Sequence, residues 1–388
     1  MSKKFSLVVA FIMIATLMLS ACTPVATEAP TVAATEPAAV QATATQPPAA
    51  TVAPAATATM AATNAAPVVA EAKICQVTDT GGIDDKSFNA TAWKGVEQAM
   101  TDLGVEGKYL ESQEAADYEK NLNAFIEEGC DLIIPVGFFL SDATKAAAEA
   151  NPDVNFSIVD VSYDDPPIAN ILGQTFETDG AAFLAGYAAA GMSQTGIVGT
   201  FGGFPIPTVT IFMDGFARGV AYYNEQKGTD VQVLGWDIND PEKGLFSSSF
   251  DDQAKGKELG VSLLDEGADV IMPVAGPVGL GTAAAVKERG DAWIIGVDSD
   301  WYLTGTPETK DVILTSVLKN MDVTTFEAIK LVQEGTFKGG TTVVGTMENG
   351  GVGLAPFHDA DAMVPAELKA ELETVTAGIL DGTIKTRP

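Results

Sequence analysis

The chain has 388 residues, 46% hydrophobic and 19% charged, a composition that suits a globular body with more than one core. Its 22 Lys and Arg face 52 Asp and Glu, and the formal net charge of −30 would repel a phosphate backbone, which argues against nucleic acid as a partner. One His and three Cys leave no zinc constellation to build, and His358 lies far from any nucleophile signature and reads as an ordinary surface residue.

The first segment, "MSKKFSLVVAFIMIATLMLSAC", carries Lys3 and Lys4 ahead of an apolar run too short for a comfortable membrane span. Small residues before Cys22 resemble a bacterial lipobox. Residues 1–21 read as a lipoprotein signal peptide and Cys22 as the acylated residue. Each buried acyl CH₂ adds roughly 0.8 kcal/mol, so a multiply acylated Cys would hold the chain on a membrane. Residues 22–72 are rich in Ala, Thr and Pro and nearly without aromatics, the composition of a disordered tether. Cys75 and Cys130 fall in apolar runs and are expected to be two buried thiols.

Beyond the tether, apolar runs bounded by Gly and Pro alternate with amphipathic ones, a β-α-β-α pattern with parallel sheets covered by helices. The pattern occurs twice. "EEGCDLIIPVGF" from Glu127 matches "DEGADVIMPVAG" from Asp265, each followed by an Ala-rich helix and a strand ending in Asp. Gly129 to Asp160 and Gly267 to Asp298 are both 31 residues apart. More loosely, "ICQVTDTGG" pairs with "GIVGTFGG". Two similar α/β lobes follow, and ligands of such sheets bind beyond the carboxyl ends of the strands. Asp79, Asp160 and Asp298 all lie at such ends and are expected in one cleft. After the strand "DVILTSVLKN" comes a helix, and "TTVVGTMENGGVGLAPF" is expected to give a last strand to each lobe. The lobes are assigned as residues 73–177 with 305–340, and 178–304 with 341–388, joined by a hinge of several crossovers.

The loop "TDTGGIDDKSFN" stands where many α/β proteins hold a phosphate, yet it lacks the glycine spacing of a dinucleotide fingerprint and the Gly-Lys-Ser/Thr of a P-loop. Its acids suit a neutral solute with O–H and N–H donors. Phe88 offers an apolar face, Asn89 a donor and an acceptor. Phe250, just ahead of a helix in the second half, is its counterpart, and the two rings could sandwich a planar group. Asp84 and Asp85 are expected to settle the helix start. Being adjacent, they do not define an opposed acid/base pair. Lys319 is a single cation that would balance the cleft carboxylates. "DINDPEKG" lacks the EF-hand spacing, and no metal or cofactor is expected.

"VTDTGGIDDKSFNATAWKG", "FDDQAKGKELG", "VIMPVAGPVGLG", "IIGVDSD" and "TSVLKN" resemble the basic membrane lipoprotein (Bmp/PnrA-like) family from about Lys73 onward. The resemblance implies a type I periplasmic-binding-protein fold and a substrate-binding lipoprotein of an ABC transporter, extracytoplasmic and anchored to the cell membrane. Its ligand would be a purine nucleoside. By motif position, Phe88 and Phe250 would stack on the base, Asp79, Asn89 and Asp160 would read it, and Gly276, Asp298 and Lys319 would hold the sugar. Asp142 and Asp300 are further candidates. Pro205 and Pro207 depart from the family pattern at the rim of the second lobe. A monomer is expected, with permease and ATPase as separate chains. The alternatives are a sugar or other small-solute binding or sensor protein of the same fold, or a nucleoside-cleaving hydrolase. The sequence shows no activating partner for the last.

Overall fold

The structure is a computed structural model that describes residues 71–387; the signal peptide, Cys22 and most of the tether lie outside the described residues. The first lobe opens with β1 (Lys73–Val77), α1 (Phe88–Asp102), β2 (Glu106–Leu110), α2 (Ala116–Glu128), β3 (Leu132–Pro135), α3 (Ser141–Ala150), β4 (Asn155–Val159) and β5 (Ile171–Phe176). The chain then crosses to α4 (Thr178–Met192), β6 (Ile197–Gly202), α5 (Pro207–Lys227), β7 (Gln232–Leu234), α6 (Gln253–Asp265), β8 (Val270–Val274), α7 (Val278–Arg289), β9 (Trp293–Asp298), the short α8 (Trp301–Thr304) and β10 (Ile313–Lys319). It returns for α9 (Met321–Gln333) and β11 (Thr341–Gly345) and ends with β12 (Val352–Leu354) and α10 (Ala366–Leu380).

Two six-stranded sheets result, ordered β11-β5-β4-β3-β1-β2 and β12-β10-β9-β8-β6-β7. The orders correspond strand for strand, and only β12, antiparallel to β10, breaks the parallel pairing. In the first sheet Ile74, Leu132 and Ile134 face the α1 side, while Cys75 and Ile133 pack with Tyr118, Leu122 and Phe125 of α2. Strands covered on both faces need apolar residues on both, hence their unbroken hydrophobic runs. In the second lobe α4 is buried on every side and meets α5 where a Cβ at Gly186 would lie 2.0 Å from the Phe216 carbonyl oxygen.

Two expectations are corrected. β10, placed by sequence in the first lobe, lies within the second sheet, and β11, placed in the second, edges the first. Parallel strands need a crossover of a dozen or more residues, and the stretch from Asp298 to Ile313, holding α8 and a 3₁₀ turn at Pro307–Val312, is long enough to keep β9 and β10 in one sheet. The lobes are therefore 73–176 with α9 and β11, and 178–319 with β12 and α10. As the sequence suggested, the tail does supply one strand to each lobe. Three crossovers connect them, at Glu177, at Asn320, and between β11 and β12.

The second correction is covalent. Cys75 and Cys130 are buried but form a disulfide, with Cα atoms 6.1 Å apart. Gly129, left-handed at φ +74°, turns the chain at the end of α2 so that Cys130 lands beside β1. Nothing in either sequence neighbourhood shows that β1 and β3 are adjacent.

Candidate ligand-binding site

Residues from the carboxyl ends of both sheets line one cleft between the lobes. All eight principal candidates are there: Asp79, Phe88, Asn89, Asp160, Phe250, Gly276, Asp298 and Lys319. With the lobes closed, the void among these side chains is about 60 Å³. Small-molecule pockets hold roughly 300–1,000 Å³, so a solute of that size calls for wider separation of these walls.

Asp79, at the end of β1, is 7% exposed. Its Oδ1 accepts from the Gly81 N–H at 2.9 Å and from Asn89 Nδ2 at 2.7 Å. Its Oδ2 borders Gly137, where a Cβ would stand only 3.2 Å away. Gly137 also has φ +119°, a conformation open to glycine, so this position keeps Oδ2 free to face the cleft. Asn89 corrects its expected role. Nδ2 gives its protons to Asp79 and, at 3.1 Å, to Asp85 Oδ2, leaving none for a solute. Asn89 Oδ1 takes only the Asp79 N–H, at 3.3 Å, and keeps a lone pair. The wall is thus one of acceptors.

Asp85 performs the helix-start task expected of it. Its carboxylate accepts from the N–H groups of Ser87, Asn89 and Ala90 at 3.0, 2.7 and 3.0 Å. Asp84 is exposed. Burial nevertheless pushes the Asp85 carboxyl up to about 7 against those hydrogen bonds.

Lys319, at the end of β10 and 3% exposed, meets both oxygens of Asp160 across the lobes, at 2.5 and 2.6 Å. Its Nζ also lies over the rings of Phe88, Phe176 and Phe212, at 4.8, 5.2 and 5.9 Å from their centroids. An ammonium so enclosed is held by charge and by ring quadrupoles together. Burial pushes the Asp160 carboxyl upward, and the Lys319 charge opposes it.

Asp298, at the end of β9, has left-handed backbone at φ +67°, as Asp160 has at φ +71° after β4. The repeated spacing in the sequence therefore marks a shared, uncommon conformation. Burial raises the Asp298 carboxyl to about 6, opposed by Lys319 and by a hydrogen bond from Ser87. Gly276, at φ +53° in the β8–α7 turn, lines the same wall.

Phe88 and Phe250 line the cleft from opposite lobes, but the sequence missed their companions. Phe139 stands edge-on to Phe204 at 5.2 Å and tilted to Phe250 at 6.3 Å, and Phe204 meets Phe250 at 5.1 Å. Phe139 lines the cleft yet is 41% exposed, which puts it at the mouth. The "GFF" run after β3 was the available signal. Ile206 and Thr208, flanking Pro207 in the first turn of α5, form part of the second-lobe wall.

Asp142 and Asp300 are not brought to the cleft. Asp142 is exposed in the first turn of α3. Asp300 caps α8 through Oδ1 to the Tyr302 N–H, and its Oδ2 meets His358 Nε2 at 2.7 Å. His358 is accordingly no free surface residue: it also stacks on Tyr302 with centroids 4.2 Å apart.

The raised carboxyls set a pH dependence. The folded protein holds protons that the unfolded chain releases, on Asp85 from about 4 up to about 7 and on Asp298 up to about 6, so stability increases as pH falls through that window. The ligand-free protein should melt at a higher temperature at pH 5 than at pH 7.5. An equal or lower midpoint at pH 5 would contradict the assigned burial of these groups.

Twin parallel sheets, three crossovers and a cleft at the strand ends define a type I periplasmic-binding-protein fold. Residues 72–385 match the family model described as "ABC transporter substrate-binding protein PnrA-like", and the chain belongs to that family. It is 32% identical over 333 residues to the "ABC transporter nucleoside-binding protein BmpA" of Lactococcus lactis subsp. cremoris, covering 82% of this chain and 89% of that one. It is 33% identical over 324 residues to basic membrane protein A of Borreliella burgdorferi, covering 80% and 86%. Among solved structures, a solute-binding protein of an ABC transporter system from Aeropyrum pernix K1 superposes with a TM-score of 0.72 at 28% identity, covering 81% and 92%. The chain is thus a substrate-binding protein of an ABC transporter, a class that works outside the cytoplasm with a permease, and the lactococcal and Aeropyrum proteins bear names of binding proteins.

Proposed function

We propose that the solute is a purine nucleoside, carried to its permease by a monomeric lipoprotein anchored at Cys22. The observation that carries this reading is the pairing of ring faces with an acceptor-rich wall. Asp79 Oδ2, the spare lone pair of Asn89 Oδ1, and the carboxylates of Asp160 and Asp298 offer acceptors, while Lys319, the one cation among the described residues that line the cleft, is already paired with Asp160. Such a site suits a neutral solute with N–H donors on a planar edge and O–H donors on a sugar. Phe88 and Phe250 stack on the base; Asp79, Asn89 and Asp160 read its edge; Gly276, Asp298 and Lys319 hold the ribose. A free sugar has no planar π face to lay against both rings, as a base has. The nucleoside-binding name of the lactococcal relative supports the same reading.

Calorimetry with inosine, guanosine, adenosine, cytidine and ribose tests it. The purine nucleosides should bind and come back unchanged from the incubation. Binding of ribose with no heat from any nucleoside would sink the proposal, and release of free base would revive the hydrolase. Phe88→Ala should weaken nucleoside binding by roughly 1–3 kcal/mol, the worth of one base–aromatic stack. An unchanged affinity in a folded variant would take Phe88 out of the contact.

A further inference from the structure

Ser87 occupies the N-cap position of α1, where a Ser hydroxyl ordinarily accepts a hydrogen bond from the first turn of its own helix. Here it makes no such bond. Asp85 has taken that task, receiving the N–H groups of Asn89 and Ala90. The Ser87 hydroxyl is left free, buried at 2% exposure, and points to the other lobe. It donates to Asp298 Oδ2 at 3.0 Å, with the Val297 carbonyl at 3.3 Å as a second acceptor. One residue earlier, the Lys86 carbonyl accepts from Ser299 Oγ at 2.9 Å. Lys86 and Asp298, each next to one of these contacts, both have left-handed backbones, at φ +56° and +67°. Both hydroxyls contact the far lobe only while the lobes are together.

We propose that Ser87 is a positioning residue that makes lobe closure and the orientation of the Asp298 carboxylate one event. When the lobes part, Asp298 loses its hydrogen-bond donor and turns to water. When they close on a solute, Ser87 occupies Oδ2 and leaves Oδ1 for a ligand hydroxyl. Ser299 and Lys86 fasten the same edge without touching that carboxylate. The charged groups that face Asp298 are Lys319 of β10, Asp160 after β4 and Asp79 after β1. The role of Asp298 toward a sugar hydroxyl rests on the nucleoside reading; the closure does not.

The test uses the whole protein, spin-labelled at the exposed positions Lys120→Cys and Glu288→Cys, one on each lobe. Ser87→Ala should lengthen the inter-lobe distance in ligand-free protein and speed inosine release about tenfold, the effect of losing a hydrogen bond to a charged group. It should also move the acid-side loss of inosine affinity to higher pH, because Asp298 loses a donor that favours its ionised form. Ser87→Thr should restore all three. Ser299→Ala should open the lobes and leave the pH profile in place. A Ser87→Ala protein with the parental distance would overturn the proposal. So would one that opens but keeps the parental pH profile, since that is closure without positioning. If inosine does not bind the parent, the nucleoside reading falls and the distance measurement alone decides the latch.

Discussion

Lys319→Met should destabilise the protein by about 3–5 kcal/mol in chemical denaturation at pH 7.5, the usual cost of removing one partner from a buried ion pair. The loss comes from Asp160 rather than from the missing lysine. Its carboxylate would remain 8% exposed, its two oxygens stripped of the ammonium that both now contact. Burial already raises this carboxyl, and without Lys319 nothing of opposite charge would restrain it. The defect should therefore shrink as pH falls and Asp160 takes up a proton, the folded state being the tighter proton binder. Lys319→Met combined with Asp160→Asn should recover most of the stability while still impairing solute binding. A single-variant loss below about 1 kcal/mol would mean that the hinge opens enough to hydrate Asp160.

Removing the disulfide by Cys75→Ser with Cys130→Ser should cost about 4 kcal/mol, the chain-entropy value for cross-linking residues separated by 55 positions. Both sulfurs sit in the α2-side core of the first lobe, so Ser adds the burden of buried hydroxyls. Cys75→Ala with Cys130→Ala separates the two effects. Denaturation with and without reductant checks the first: the parent should lose stability in reductant and the double Ala variant should not respond. A reductant-insensitive parent at full reduction would contradict the assigned contribution.

The sequence revealed the lining of the cleft in proportion to how local its signals were. Asp160 and Asp298 were found because two 31-residue spans end on the same residue, and that equality reflects a shared left-handed turn at a strand end. Phe88 and Asp79 were found because they stand at the two ends of one strand-to-helix loop. What needed the second lobe stayed hidden. Phe139 matters only because Phe204 and Phe250 come to meet it from the far side. Asn89 looked like a two-way hydrogen-bonding group until Asp79 and Asp85 were seen to claim both its protons. Asp142 and Asp300 were attractive by position alone, and helix starts attract acids for reasons unrelated to ligands. The fold class was legible from periodicity, but the sheet that received β10 was not, because a parallel strand announces burial without naming its neighbours.

The sharing of late elements between lobes reaches beyond the hinge. The α1 side of the first sheet is covered by α9, whose Asp322 carbonyl oxygen would lie 2.5 Å from a Cβ at Gly95. One edge of the first sheet is completed only by β11, and one edge of the second only by β12. A growing chain thus lays down five strands of the first lobe long before it makes the helix that seals them. Native pairings of such sequence separation form slowly, because loop closure must precede any gain from contact. Neither lobe can mature as an independent folding unit, and the nascent chain stays unfinished almost to its end. The two bodies should accordingly melt in one calorimetric transition, with no separate endotherm for either.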